Sequence, residues 1–133
     1  MHSPVSTIER YYTLINENNW TEIATLFDVP ATMIIGPTKI VLEHQEKVTA
    51  LYQGLGEKFA REGAVRLSWD RKSFALFQVH DDLVAVKTVV TRHAADGSVI
   101  KTWNCSYTLR LVGQHWLFTL VTSDDAGNAQ GVR

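Results

Sequence analysis

In the stretch Thr102-Trp103-Asn104-Cys105-Ser106-Tyr107-Thr108-Leu109-Arg110-Leu111, residue character changes at every step: Trp103, Cys105, Tyr107, Leu109 and Leu111 alternate with polar neighbours. Successive side chains of a strand point to opposite faces, so this run is a strand with one buried face and one polar face. Working outward, Ala64 to Val79, Leu83 to His93 and Trp116 to Asp124 are also rich in β-branched and aromatic residues. Asp81-Asp82, Asp96-Gly97 and Gly113-Gln114 supply the turns between them. With Val99 to Val112, these segments predict four antiparallel strands in a meander. Asp70 and Arg71 interrupt the first strand and predict a bulge there.

The first half of the chain has a different period. Ser6-Thr7-Ile8-Glu9 has the form of a capping box, and Ile8, Tyr11, Tyr12 and Ile15 follow at helical spacing, so a helix is expected from Ser6 or just before it. Asn16 to Asn19 break that helix, and Asn19 with Glu22 caps a short second one carrying Trp20, Ile23, Ala24 and Phe27 until Asp28-Val29-Pro30. Ala31 to Ile35 and Lys39 to Leu42 flank Gly36-Pro37-Thr38 and predict a two-stranded ribbon. Val48, Leu51, Tyr52, Leu55 and Phe59 predict a third helix from Gln45 to about Glu62, in which Gly54 and Gly56 either weaken the helix or permit close packing. Ala126 to Arg133 is small and polar and is expected to form a flexible tail after one domain spanning 1–125.

Composition narrows the function classes. With 133 residues, 45% of them hydrophobic and 20% charged, the chain suits one globular domain. Its net charge of -1 gives no electrostatic footprint for nucleic acid or an anionic membrane, so neither is an expected partner. The single cysteine, Cys105, cannot form an internal disulfide, and Met1 to Thr7 lacks the basic and apolar regions of a secretory signal, so a cytoplasmic location is expected. His2, His44, His80, His93 and His115 have no metal-ligand spacing, and no glycine-rich phosphate loop or Gly-x-Ser-x-Gly elbow occurs. No metal and no cofactor are therefore expected. Cys105 lies among alternating apolar residues and reads as a packing residue.

Aromatic residues are the informative group. Tyr11, Tyr12, Trp20, Tyr52, Trp69 and Trp103, with Tyr107 and Trp116, each combine an apolar body with a polar tip. They either line a cavity or fill the space between helices and sheet. Asp124 follows Trp116, Phe118, Leu120 and Thr122 in alternation, which places a carboxylate on their inward face or at a solvated strand end.

The element order, an α+β pattern of helices, ribbon, helix and long meander, resembles the NTF2-like superfamily, the cone shared by ketosteroid isomerases, SnoaL-like polyketide cyclases, scytalone dehydratases and nuclear transport factor 2. The likeness runs from about Thr7 to Asp124 and rests on Arg10-Tyr11-Tyr12, Asn19-Trp20, Leu26-Phe27, Pro30-Ala31-Thr32, Ser106-Tyr107-Thr108-Leu109-Arg110 and Trp116. It implies N-terminal helices packed in a curved antiparallel sheet of cystatin-like type. Against ketosteroid isomerases, Tyr11 matches the oxyanion-stabilising tyrosine, whereas Ile35 falls where the catalytic aspartate is expected. Ile35 cannot accept a proton, so isomerase activity is not carried over. What the resemblance implies instead is binding of an apolar or aromatic small molecule in the cone, with isomerase, cyclase or lyase-like chemistry if there is any. The candidate ligand-binding residues are Tyr11, Tyr12, Trp20, Tyr52, Trp69, Trp103 and Asp124. The alternative is a non-catalytic association module. In either case the uncharged sheet face of Thr102, Asn104, Ser106 and Thr108 is expected to form a homodimer.

Overall fold

The computed structural model describes residues 3–124. In chain order the elements are α1 (Pro4–Asn16), α2 (Trp20–Ala24), β1 (Phe27–Ile35), β2 (Thr38–Leu42), α3 (Gln45–Arg61), β3 (Ala64–Trp69), β4 (Ala75–His80), β5 (Leu83–Ala94), β6 (Val99–Val112) and β7 (His115–Ser123). The tail expected from Ala126 onward lies outside the described residues.

The strands form one sheet in the order β2-β1-β7-β6-β5-β3, with β4 also paired to β5. Helix α3 packs against β1 and β2 at one end of this order and β3 at the other, while α1 packs on β3 and β7. A sheet whose two ends both reach one helix must curl around it, and the core lies inside the curl. The predicted inward face of β6 is realised: Trp103, Cys105, Tyr107 and Leu109 are buried. Facing them are Ile8 of α1, Val48 of α3, and Phe27 and Phe118 from β1 and β7. Among the described residues no helix is long and apolar enough to cross a membrane.

Four expectations are corrected. The cap of α1 is Ser3 rather than Ser6: the Ser6 N–H donates to Ser3 Oγ at 3.1 Å and the Ser3 N–H to Ser6 Oγ at 3.4 Å. Pro4 at the first helical position, with φ preset and no amide hydrogen to orphan, moves the start half a turn earlier. Phe27 and Pro30 belong to strand β1, not to the second helix or its stop, because Phe27 is needed in the core against Phe118, at a ring separation of 5.2 Å. The segment Ala64 to Val79 is two strands, with Asp70 to Ser73 forming a turn in which the Lys72 N–H donates to Asp70 Oδ1 at 2.9 Å. Both β3 and β4 lie on the same edge of β5, one against its second half and one against its first. Finally, the sheet is mixed, because β1 pairs with β7 in parallel while the other pairs are antiparallel.

Candidate functional site

The chain has four tyrosines, and the fold brings all of them together. The apolar stripe of α1 turns Tyr11 and Tyr12 inward, α3 contributes Tyr52, and the alternation of β6 contributes Tyr107; all four are buried. Around Tyr11 the other three rings stand edge-on at centroid distances of 5.0, 5.7 and 5.6 Å for Tyr12, Tyr52 and Tyr107. Such edge-to-face contacts set the positive ring edge against the negative face. The Tyr11 and Tyr52 hydroxyls are hydrogen-bonded at 2.7 Å, and those of Tyr12 and Tyr107 are also hydrogen-bonded. The two hydrogen-bonded pairs adjoin through the edge-on contacts of the Tyr11 ring with Tyr12 and Tyr107. In each pair one hydroxyl donates, and its acceptor keeps an O–H to offer elsewhere.

Burial pushes all four phenols well above the usual 10.0, because the phenolate would be taken out of water. The Tyr52 and Tyr107 hydroxyls beside Tyr11 pull the other way and do not reverse that effect. At neutral pH the cluster is uncharged, and none of its members acts as a base.

All four tyrosines line a cavity of about 100 Å³. Trp20, Trp103, Phe59, Met33, Ile35 and Val90 supply much of its apolar wall, and Lys58 and Ser123 also line it. Lys58 is exposed, so the cavity reaches the surface of α3 there. Among the described residues no carboxylate and no imidazole lines the cavity. Trp20, Ile15 and Phe59 also line a larger, wetter groove of about 500 Å³ on their other side, between the end of α1, α3 and β3. Trp20 lies directly on Gly56, where a Cβ would come within 2.5 Å of two of its ring carbons. Of the two readings offered for the glycines of α3, close packing holds at Gly56, whereas Gly54 faces open space.

Of the seven residues picked from the sequence, Tyr11, Tyr12, Trp20, Tyr52 and Trp103 line the cavity. Trp69 does not; it stacks on Tyr12 at 6.3 Å with an interplanar angle of 16°, with Phe74 against it at 5.6 Å. Asp124 does not either. The register between β6 and β7 slips, pairing Thr108 with Leu120 but Leu109 with Phe118, so Thr119 is an extra residue that reverses the alternation. Beyond it Val121 and Ser123 point into the cone and Asp124 points out, where its carboxylate accepts from the Asn104 N–H at 2.9 Å and from Asn104 Nδ2 at 3.3 Å. Arg71 also stays outside, over the Trp69 ring at 4.7 Å and paired with Glu9 at 2.5 Å. His93 is half-buried, its Nε2 at 2.7 Å from Ser68 Oγ. Among the described residues no group of three or more His, Cys, Asp or Glu could hold a metal ion.

Arg92 does not line the cavity but backs two residues of its wall, Phe59 and Trp103. It is 2% exposed, with its guanidinium carbon 4.3 Å from the centre of the Phe59 ring and 4.8 Å from that of Trp103. Its Nη1 is paired with the carboxylate of Glu62, the C-cap residue of α3. The signal is present in the sequence: Val84, Val86, Thr88 and Val90 mark the buried face of β5, and position 92 continues it.

The sequence profile of a family described as NTF2-like protein (DUF6841) matches residues 5–126. Similar solved structures include Aln2 from a Streptomyces species, with a TM-score of 0.78 and 18% identity over 100% of this chain and 99% of that one. A protein of unknown function with a cystatin-like fold from Nostoc punctiforme has a TM-score of 0.76 and 12% identity over 92% and 89% of the two chains. An NTF2-like protein from Novosphingobium aromaticivorans has a TM-score of 0.69 and 16% identity over 94% and 82%. No curated protein matches the chain.

Proposed function

The chain belongs to the NTF2-like family, and from that premise we propose that its cone binds a small planar molecule, a single aromatic ring carrying a hydroxyl or carbonyl oxygen. The observation that carries this reading is the gathering of four neutral tyrosines, their hydroxyls paired with one another, in the lining of a mostly apolar cavity. A ligand oxygen placed against them meets O–H donors in a water-poor setting, while its ring is held by Trp103, Phe59 and Trp20. At about 100 Å³ the cavity is smaller than the apolar cavities of about 150 Å³ that take up benzene, so a single ring is its upper size limit and enters only with some displacement of the wall. Tyrosines that stay protonated donate hydrogen bonds but abstract no proton, and Ile35 sits in the wall as an aliphatic side chain. The reading is therefore one of binding and orientation, not of proton abstraction by the cone itself.

Titration of the protein with phenol and with toluene, followed by tryptophan fluorescence, tests the proposal. Tyr11→Phe is expected to weaken phenol by about 1–3 kcal/mol, the cost of a lost buried hydrogen bond, and to leave toluene nearly unchanged. Equal weakening of both ligands, or no binding of either to the wild type, would overturn it.

A second reading, association, has its own observation. Strand registers align Phe77, Ala85, Thr108, Leu120, Thr32 and Val41 in one uncharged row across the outer face of the sheet. Phe77 in that row is 69% exposed. We propose a homodimer through this face, which also carries Thr102, Asn104 and Ser106. Ligand binding and dimerisation use opposite faces of the sheet and are compatible.

A further inference from the structure

We infer that the groove behind Trp20 is the outer compartment of the ligand site and Trp20 its movable partition, so that the ligand is a ring bearing a short uncharged arm that ends in a hydroxyl; the inference rests on the ligand-binding reading above. Ile15, Trp20, Gly56, Phe59 and Leu67 line both the cavity of about 100 Å³ and the groove of about 500 Å³, so one layer of residues separates the two spaces. A ring enters the cavity only when part of the wall gives way, and the wall is unevenly held. Tyr11 is hydrogen-bonded to Tyr52 and Tyr12 to Tyr107, and Phe59 and Trp103 lie against the Arg92 guanidinium. Among the described residues, Trp20 alone of these aromatics has neither a hydrogen bond nor a ring or cation partner. It is half-buried and rests on Gly56, where a Cβ would come within 2.5 Å of its ring. Glycine weakens a helix interior relative to alanine, and at this position it is what seats the indole. Because Ile15 and Phe59 line the groove as well, the indole can turn about its side-chain bonds into the groove and keep apolar neighbours there. That movement joins the two spaces and makes the room a ring needs.

The chemistry of the groove names the arm. Gln53, Gly56, Glu57 and Ala60 fall at i, i+3, i+4 and i+7, so one face of α3 forms a wall of it. Gln53, Glu57 and Asn18 in its lining are exposed, and among the described residues their side chains are hydrogen-bonded to no other group. Asn16, by contrast, is engaged by both backbone groups of Leu67. Glu57 and Arg66 are the charged residues of the lining, one acid and one base, so the groove selects no net charge. Amide and carboxylate groups together answer a hydroxyl, which both donates and accepts. The class is therefore a phenol or aryl ketone with a short alkyl arm ending in a hydroxyl, its ring in the cavity and its arm passing the displaced indole.

Two measurements test this. Calorimetric titration compares phenol with tyrosol, a phenol with a para-hydroxyethyl arm, and with para-propylphenol, in which a methyl replaces the hydroxyl of the arm. Tyrosol is expected to bind about three- to tenfold more tightly than phenol, the effect of one or two net hydrogen bonds. The double variant Gln53→Ala with Glu57→Ala, both on the exposed side of α3, should erase that margin and leave the ratio of para-propylphenol to phenol as it is in the wild type. Stopped-flow tryptophan fluorescence, with Trp103 in the cavity wall as the remaining reporter, then follows phenol entering wild type and Trp20→Ala. An association that waits on a conformational change is slow, so removing the partition should raise the on-rate about tenfold or more. If Trp20→Ala fails to fold, Trp20→Leu keeps an apolar side chain in the wall and should raise the rate in the same direction. Tyrosol binding no more tightly than phenol, a margin that survives the double variant, or an on-rate unmoved by loss of the indole overturns the inference and leaves the cavity reading intact. Failure of phenol, tyrosol and para-propylphenol alike would overturn both.

Discussion

Alkaline pH interrogates the tyrosine cluster directly, because every tyrosine in the chain belongs to it and none adds background signal. In the folded protein all four phenols are held well above 10.0 by burial; in the unfolded chain they ionise near their ordinary value. Above that ordinary value the unfolded state binds fewer protons than the native state, so stability falls as pH rises. The sign is that of an acid kept neutral by folding: the stabilisation is complete below the unfolded pKa and disappears on the alkaline side. Each phenol that ionises only on unfolding costs about 1.4 kcal/mol per pH unit, so four together cost roughly 5 kcal/mol per unit. A domain with about 5–15 kcal/mol of stability would then unfold within roughly one to three units above pH 10. The assay is parallel near-ultraviolet absorbance, which reports tyrosinate, and far-ultraviolet circular dichroism, which reports the fold. Tyrosinate should stay absent while the dichroism is native, and should appear for all four residues in the same transition that abolishes it. Tyr107→Phe should reduce the steepness of the alkaline stability loss by about a quarter. A tyrosine that titrates with an ordinary midpoint while the dichroism is still native would refute the buried, mutually bonded cluster.

Three further outcomes follow from local geometry. Gly54→Ala adds a Cβ in open space on an exposed turn of α3 and should stabilise by about 0.5–1 kcal/mol in urea denaturation. Gly56→Ala makes the same helix gain but sets the Cβ at 2.5 Å from Trp20, so overpacking of about 1–3 kcal/mol should cancel or exceed it; equal stabilisation by both variants would contradict the packing of Trp20. Asn16→Ala removes the side chain that pairs with both backbone groups of Leu67, at 2.9 and 2.8 Å, on the terminal strand β3. It should cost about 1–3 kcal/mol, seen as a lower denaturation midpoint at unchanged slope. Thr108→Arg places a charge in the middle of the uncharged outer row and should shift a wild-type dimer toward monomer in sedimentation analysis; a wild type that is monomeric at micromolar concentration would dispose of the association proposal.

The parts of this molecule legible in the sequence are those governed by a local period. β6 is readable because every second residue meets the same core, and Tyr11, Tyr12 and Tyr52 because helical spacing leaves them on inward stripes. Asp124 escapes such a reading for a physical reason: alternation predicts a face only while the strand stays in register, and the extra residue at Thr119 reverses everything after it. Nothing in Thr119-Leu120-Val121 announces a bulge, since all three residues suit either face. The break between β3 and β4 is a non-local matter, because both segments have strand composition and it is their shared edge on β5 that divides them. Arg92 is hidden by its residue type, arginine being rarely buried without a partner; the pattern of β5 assigns it inward, but the partner, Glu62, lies 30 residues away in sequence and appears only with the fold. The parallel pairing of β1 with β7 likewise depends on closure of the sheet and not on either strand's own residues.

The central claim is that the tyrosine wall of the cone orients the oxygen of a bound ring. A crystal structure of the protein soaked with para-bromophenol, with bromine located by anomalous scattering, tests it most directly. The account predicts a bromine peak inside the cavity, the ring between Trp103 and Tyr52, and the phenol oxygen within hydrogen-bond distance of a Tyr11 or Tyr12 hydroxyl. A peak found only in the groove on the far side of Trp20, or a cavity left without the ligand at saturating concentration, would contradict it.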